Sequence, residues 1–280
     1  MDALLIVNKG KNKTSRDVVN ELNHIFNTKK IGHTGTLDPL ATGVLVCLIG
    51  KYTKLVNLIT SYDKEYIAEI KLGIKTDTGD ITGNIISTDN SNVSVDMIKE
   101  VFANFPKVYN QEVPIYSAVK INGKKLYDYA RSNIPVNLPK REVHIYSLEL
   151  LSYENNIITF KTKVSKGTYI RSLINDLTNY LNTVGTMNNL IRTKQGYFNI
   201  TDSYTIEDIK NGNYKILNIK DFLNYPVIEL HDTLIKKVSN GSSIPNSFNI
   251  KDKVIFTYQN QDIAIYEVNN EYLKPFIILK

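Results

Sequence analysis

Apolar positions along this chain recur at two periods, and the alternation between the periods marks out strands and helices. Positions 4–7 are a continuous apolar run of strand length, which predicts a short buried strand. Behind Thr14 and Ser15, either of which can cap a helix, Val18, Val19, Leu22 and Phe26 follow at helical spacing. Over 65–72 the period changes to two. Tyr66, Ala68, Ile70 and Leu72 fall on one face and Glu65, Glu69 and Lys71 on the other, with Ile67 the exception, so a half-buried strand begins near Tyr66. Positions 97–105 predict a second amphipathic helix, and 143–151 and 157–164 predict paired strands turning at Asn155-Asn156. Ile170, Leu173, Ile174, Leu177 and Leu181 repeat at three and four residues, so a helix starts close to Tyr169, with Arg171 off its apolar stripe.

After Pro226 the runs become short and strand-like, at 254–258, 263–268 and 276–279, separated by turns such as Asn240-Gly241. The expected organisation is a body over 1–225 and a small barrel over 226–280, a size of about 55 residues that can fold alone. A length of 280 residues accommodates both, and 42% hydrophobic with 22% charged residues excludes a disordered chain. No apolar run approaches the ~20 residues of a membrane helix, and the opening residues are too short and lack the basic flank of a signal peptide. The expectation is a cytoplasmic protein that does not engage a membrane. Cys47, the single cysteine, sits in the apolar run 44–49 and reads as a buried, inert thiol. A net charge of +6 favours a polyanionic partner, since lysine and arginine release counterions from phosphates.

Candidate chemistry concentrates in Gly32-His33-Thr34-Gly35-Thr36-Leu37-Asp38-Pro39-Leu40-Ala41-Thr42-Gly43, where one carboxylate stands in a glycine-punctuated, otherwise uncharged loop. Pro39 biases Asp38 away from helical dihedrals, and the glycines admit close backbone approach. Read by itself, Asp-Pro is ordinary turn chemistry. The full twelve residues, however, resemble the active-site motif of the bacterial tRNA pseudouridine-55 synthases, the TruB-type family. The resemblance continues in order through Asp63-Lys64-Glu65-Tyr66, Lys71-Leu72-Gly73 with Thr76-Asp77-Thr78, Tyr116-Ser117-Ala118-Val119-Lys120, Gly123-Lys124-Lys125-Leu126-Tyr127 and Ser165-Lys166-Gly167-Thr168-Tyr169-Ile170-Arg171. It covers roughly residues 4–200.

What the resemblance implies is an α+β fold. Its catalytic domain is built on a curved, mostly antiparallel sheet flanked by helices and is followed by a small PUA-like β-barrel. The implied activity is isomerisation of uridine to pseudouridine at position 55 in the T arm of tRNA. That reaction breaks the bond from N1 to the sugar, turns the uracil, joins C5 to the sugar and releases the C5 proton. No atom enters and no electron is transferred, so neither a metal nor a redox cofactor is expected. The partner implied is tRNA through its T arm, met by a monomer with no obligate protein partner.

By the same resemblance Asp38 is the nucleophile, Tyr66 stacks on the target uracil and takes part in proton removal, and Arg171 pairs with Asp38. An unperturbed Asp, near ~3.9, is charged at neutral pH, but burial beside a base works against that charge unless a cation compensates. Tyr169 and Leu190 match residues lining the pocket. A stacked uridine must be flipped out to reach a carboxylate, and His33 matches the residue that fills the space left behind. Whether the carboxylate attacks C1′, adds to the base ring or promotes elimination at the sugar stays open at the level of sequence.

The segment 116–141 interleaves Lys120, Lys124, Lys125, Arg131, Lys140 and Arg141 with Tyr127 and Tyr129, a pattern suited to phosphate contact and base stacking. It resembles the family's thumb, an insertion at about 110–141, which assigns Lys120, Lys124, Lys125 and Arg131 to the RNA backbone. Two departures stand out. The family's Lys-Pro-x-Gly is here Lys9-Gly10-Lys11-Asn12, where Asn12 can still adopt a positive φ, and its Leu-Arg-Arg is Leu190-Ile191-Arg192, one basic residue fewer. Gly43 to Lys51 has the wrong spacing for a phosphate-binding loop, and Asp77-Thr78-Gly79-Asp80 reads as a turn. Two rivals are a guide-dependent relative inside a ribonucleoprotein, for which the chain lacks a long basic extension, and a silent RNA-binding protein, which would not need Asp38, Tyr66 and Arg171 together.

Overall fold

A computed structural model describes residues 1–90 and 92–279. β1 (Ala3–Lys9) leads into α1 (Ser15–Ile25), whose start is fixed by a capping box between Thr14 and Asp17. β2 (Ile31–His33) and β3 (Thr42–Ile49) flank the glycine-punctuated loop, and a short α2 (Val56–Thr60) precedes β4 (Lys64–Leu72). Along β4 burial alternates residue by residue with Tyr66, Ala68, Ile70 and Leu72 inward, as the period of two predicts. A hairpin of β5 (Ile74–Thr76) and β6 (Ile85–Thr88) follows, then α3 (Val95–Asn104), starting two residues before the pattern suggests because Ser94 caps it.

β7 (Val108–Glu112) then opens an excursion containing β8 (Lys120–Ile121), β9 (Lys124–Lys125) and α4 (Leu126–Arg131). The chain returns as β10 (Lys140–Glu154) and β11 (Ile157–Val164), joined through Asn155 and Asn156, both at positive φ as a tight hairpin turn demands. α5 (Ile170–Tyr180), β12 (Gly185–Gln195) and β13 (Phe198–Asn199) close the main sheet, followed by α6 (Ile206–Lys210) and α7 (Ile219–Phe222).

The main sheet runs β1-β3-β12-β4-β11-β10-β7, with β2 beside β3 and β13 beside β12. Its pairings are antiparallel except that of β12 with β3. That parallel contact sets Arg192 against Gly43. Gly43 has φ +98°, and a side chain there would run into the Arg192 carbonyl, so only glycine admits the approach. One face of the sheet packs against α1, α3 and α5 through residues such as Leu5, Val7, Val18, Leu22, Ile98, Phe160 and Leu173. Cys47 is fully buried there.

A second sheet, β14-β16-β17-β18-β15, is formed by β14 (Val227–Glu229), β15 (Ile244–Pro245), β16 (Lys253–Tyr258), β17 (Gln261–Asn269) and β18 (Tyr272–Ile278). Asn240-Gly241, expected as a turn between strands, instead ends a helix, α8 (Asp232–Ser239), with Gly241 at φ +74°. The second sheet has a core of its own around Val254, Phe256, Tyr266 and Leu273. Its Ile255, Ile265 and Leu279 share another cluster with Leu4, Ile6, Val44, Val46 and Leu48 of the main sheet. β1 and β3 are thereby buried on both faces, which is why their sequences read as unbroken apolar runs.

Candidate active site

Loop 34–41 between β2 and β3 carries Asp38, and it is tied down from four directions. Leu37 donates its N–H to Ser15 Oγ (2.8 Å) at the start of α1. Asn12, at φ +64°, donates its N–H to the Pro39 carbonyl (2.8 Å), which also accepts from Lys9 Nζ (3.4 Å). Arg192 donates from Nη2 to the Gly35 carbonyl (3.0 Å) and from Nε to that of Val44 (2.6 Å). Gln195 Nε2 reaches the Thr34 carbonyl (2.9 Å). A carboxylate in such a loop holds one orientation because the backbone on both sides of it is hydrogen-bonded to separate elements.

Arg171 lies in the first turn of α5 and is buried, although it stands off that helix's apolar stripe. Its Nε approaches Asp38 Oδ2 at 2.9 Å and its Nη2 approaches Oδ1 at 3.3 Å, a bidentate pair. Nη1 donates to the Thr78 carbonyl and Nη2 to that of Tyr116, each at 2.9 Å. The Thr78 acceptor belongs to the turn read at Asp77–Asp80, where Asp80 Oδ1 accepts from Thr82. The Arg171 side chain is 7% exposed and that of Asp38 32%, so the guanidinium is sealed behind the carboxylate, which faces open space. A cation at a helix N-terminus opposes the helix dipole, and the Asp38 carboxylate supplies the missing negative charge.

That open space is a cavity of ≈ 460 Å³. Asp38 and Arg171 stand on one side, Tyr66 of β4 and Leu190 of β12 on the sheet floor, Tyr169 at the start of α5, and Tyr116 and Tyr127 of the excursion on the remaining wall. Tyr66 sits between Arg192 on β12 and Thr162 on β11 and is 7% exposed. Asp38, Tyr66, Tyr169, Arg171 and Leu190, dispersed over more than half the sequence, therefore converge on one cavity. His33 ends β2 outside the lining. It is half-buried, and its Nδ1 accepts from Gly35 N–H (3.4 Å), leaving Nε2 as the protonated nitrogen of the neutral ring. Burial, with Arg192 and Arg16 nearby, pushes its pKa down.

Lys120, Lys124, Lys125 and Arg131 lie on the excursion, away from the cavity floor. Lys124 covers the Tyr129 ring (4.9 Å to the centroid), while Lys125 (5.1 Å) and Arg131 (5.4 Å) both lie over Tyr127. Tyr127 thus faces the cavity with two cations at its ring.

Several residues that position this site escape a reading of the sequence. Arg192 is almost fully buried and donates to the main-chain carbonyls of Gly35 in the loop and Val44 in β3. Lys9 Nζ bonds the carbonyls of Gly10 (3.0 Å) and Lys13 (2.6 Å) as well as Pro39, and burial pushes its pKa down to about 8. Lys64, on the cavity wall, bonds the Thr60 (2.6 Å) and Tyr62 (2.5 Å) carbonyls and is likewise pushed down to about 8 by burial. Among the described residues no group of His, Cys, Asp and Glu side chains is arranged to hold a metal ion.

Residues 23–170 match the family described as TruB family pseudouridylate synthase, N-terminal domain. The chain is similar to the tRNA pseudouridine synthase B of Caldanaerobacter subterraneus subsp. tengcongensis, 39% identical over 267 residues that cover 95% of this chain and 94% of that protein. It is also similar to the proteins of that name from Clostridium kluyveri (41% identical over 265 residues, 92% of each) and Mesoplasma florum (42% over 273 residues, 95% and 94%). Among solved structures, the crystal structure of a Cbf5-Nop10-Gar1 complex holds a chain of the same fold, with a TM-score of 0.73 at 22% identity, covering 99% of this chain and 85% of that one.

Proposed function

Because this chain belongs to the TruB family of pseudouridylate synthases, we propose that it acts on one uridine in the T arm of tRNA, at position 55, with Asp38 as the nucleophile. As a member of that family, the enzyme is an isomerase that converts uridine in tRNA to pseudouridine. The observation that carries the finer reading is the bidentate pair of Asp38 with a buried Arg171 on the wall of a cavity that also holds an aromatic ring, Tyr66. A cavity of that size accommodates a nucleoside, and a stacked uridine cannot present its C1′ and C5 to the carboxylate in it, so the uridine enters flipped out of its loop.

In this reading the Arg171 guanidinium compensates the charge that the Asp38 carboxylate must carry to attack. Tyr66 stacks on the uracil and takes part in removing its C5 proton, and Tyr169 and Leu190 close the pocket around the base. His33, neutral and near the entrance loop, occupies the gap left in the RNA. Lys120, Lys124, Lys125 and Arg131 hold the phosphate backbone from the thumb, and residues 226–280 form a small PUA-like RNA-binding domain beside the catalytic domain of 1–225. No cofactor is called for, and the enzyme works as a cytoplasmic monomer without a protein partner.

The test is turnover of an unmodified T-arm hairpin by purified protein with nothing added, read by tritium release from C5 or by base-specific chemistry. Asp38→Asn is expected to bind the hairpin and to turn over nothing. Full rate in that variant would remove Asp38 from its role, and an unmodified T-arm uridine after incubation with the native enzyme would remove the substrate.

A further inference from the structure

α5 begins without a cap of its own. Tyr169, the residue at its N-terminal boundary, has no side-chain oxygen placed to accept from the first turn, and that turn contains no acidic residue. The acceptor comes from a different strand. Gln111 of β7, 2% exposed, receives the Tyr169 N–H on Oε1 at 2.7 Å. Its Nε2 donates to the Tyr109 hydroxyl at 2.9 Å, and that hydroxyl donates to Asp176 Oδ2 at 2.8 Å, two turns further along α5. The amide is therefore fixed in orientation at both ends, and with it the height at which α5 enters. Ser172 Oγ adds a bond to the Glu112 carbonyl (2.8 Å), one residue after Gln111.

Arg171 is two residues beyond Tyr169. Its guanidinium meets Asp38 on one side and the Tyr116 carbonyl, five residues beyond Gln111, on the other. A shift of the helix start relative to β7 moves the guanidinium off the Asp38 carboxylate, and a misplacement of about 1 Å at a reacting group costs on the order of 10²-fold in rate. The geometry assigns Gln111 as a positioning residue: its side-chain amide links the stem of the thumb to the entry of α5 and so sets the Asp38–Arg171 pair. The inference rests on the reading of that pair as the catalytic centre.

Gln111→Met keeps the length of the side chain and removes both hydrogen bonds, whereas Gln111→Glu retains an acceptor for the Tyr169 N–H. With the full-length enzyme and a T-arm hairpin, Gln111→Met is expected to lower kcat at least about tenfold with KM within about twofold of native, and Gln111→Glu to recover most of the loss. In an Arg171→Lys background Gln111→Met should add little further loss, since both changes act on one contact. Native kcat in Gln111→Met, equal loss in the two variants, or losses that multiply with Arg171→Lys overturn the assignment. Should Gln111→Met melt below the assay temperature, Tyr109→Phe, which removes the hydroxyl that orients the amide, is compared with Asp176→Asn, which leaves that hydroxyl in place: reduced kcat at native KM in Tyr109→Phe with a smaller loss in Asp176→Asn supports the assignment, and native kcat in Tyr109→Phe or equal losses overturn it. Asp38→Asn run in parallel separates the two readings, because an active Asp38→Asn defeats the catalytic centre itself, whatever Gln111 does.

Discussion

At the scale of single residues, this protein buries cations that make no ion pair at salt-bridge distance among the described residues and satisfies them with main-chain carbonyls. Lys9, Lys64 and Arg192 all do this, and all three hold the framework of the cavity. For the two lysines burial has a thermodynamic signature. Their folded pKa of about 8 lies below the ordinary lysine value of 10.5, so between those values the folded chain is neutral at these sites while the unfolded chain still binds a proton. Stability from this source rises with pH across that window and is flat below it, where both states are charged. Urea denaturation at pH 7.5 and 9.5, chosen as points at about the lower edge and inside the window, should show a smaller pH gain in Lys64→Met than in the native protein. An identical gain would mean that Lys64 is not the source. Asp38, Tyr66 and Arg171 were legible in the sequence because each stands in a run that resembles a known motif. Gln111 stands in no such run, and the runs that hold Lys64 and Arg192 do not show what those cations bond: Gln111 and Arg192 meet partners distant in the chain, the Tyr169 N–H and the Gly35 carbonyl, and Lys64 turns back to the carbonyls of Thr60 and Tyr62.

Among the elements, the strands of the main sheet were the most readable, since alternation along β4 and the apolar runs of β1 and β3 translate directly into which faces are covered. α8 was not readable. Its apolar positions Leu234, Ile235 and Val238 are few, and a glycine at positive φ serves a helix end and a hairpin turn equally well, so Asn240-Gly241 gave no means of choosing. The excursion between β7 and β10 presents a different case, a short segment whose cations lie over its own tyrosine rings. If Lys120, Lys124, Lys125 and Arg131 contact phosphates, replacing all four by alanine should lower the slope of log K against log salt by up to about 3. Filter binding across a salt series measures it, and an unchanged slope would move the RNA backbone off this face.

Across the whole molecule the two sheets are not merely strung together. Tyr52 donates its hydroxyl hydrogen to Asp262 Oδ2 (2.6 Å) in the second sheet and accepts the Ile219 N–H (2.8 Å), within the cluster shared by Leu4, Val46, Ile255 and Ile265. The expected outcome is one cooperative unfolding transition, with Tyr52→Phe lowering stability by about 1–3 kcal/mol through the unsatisfied buried partners it leaves. Two resolved transitions in a urea titration followed by circular dichroism and tyrosine fluorescence would refute this. Such a joint was invisible in the chain, where a change of pattern after Pro226 marks a boundary but not what lies against it. A residue buried on the opposite face of the main sheet has a practical use. Cys47 is wholly enclosed, and burial pushes its thiol up to about 12, so maleimide reagents will pass it by. A single cysteine introduced at an exposed position of the 113–139 excursion can therefore carry a fluorophore without any need to mutate the native one, and a stopped-flow trace then reports whether that excursion meets RNA.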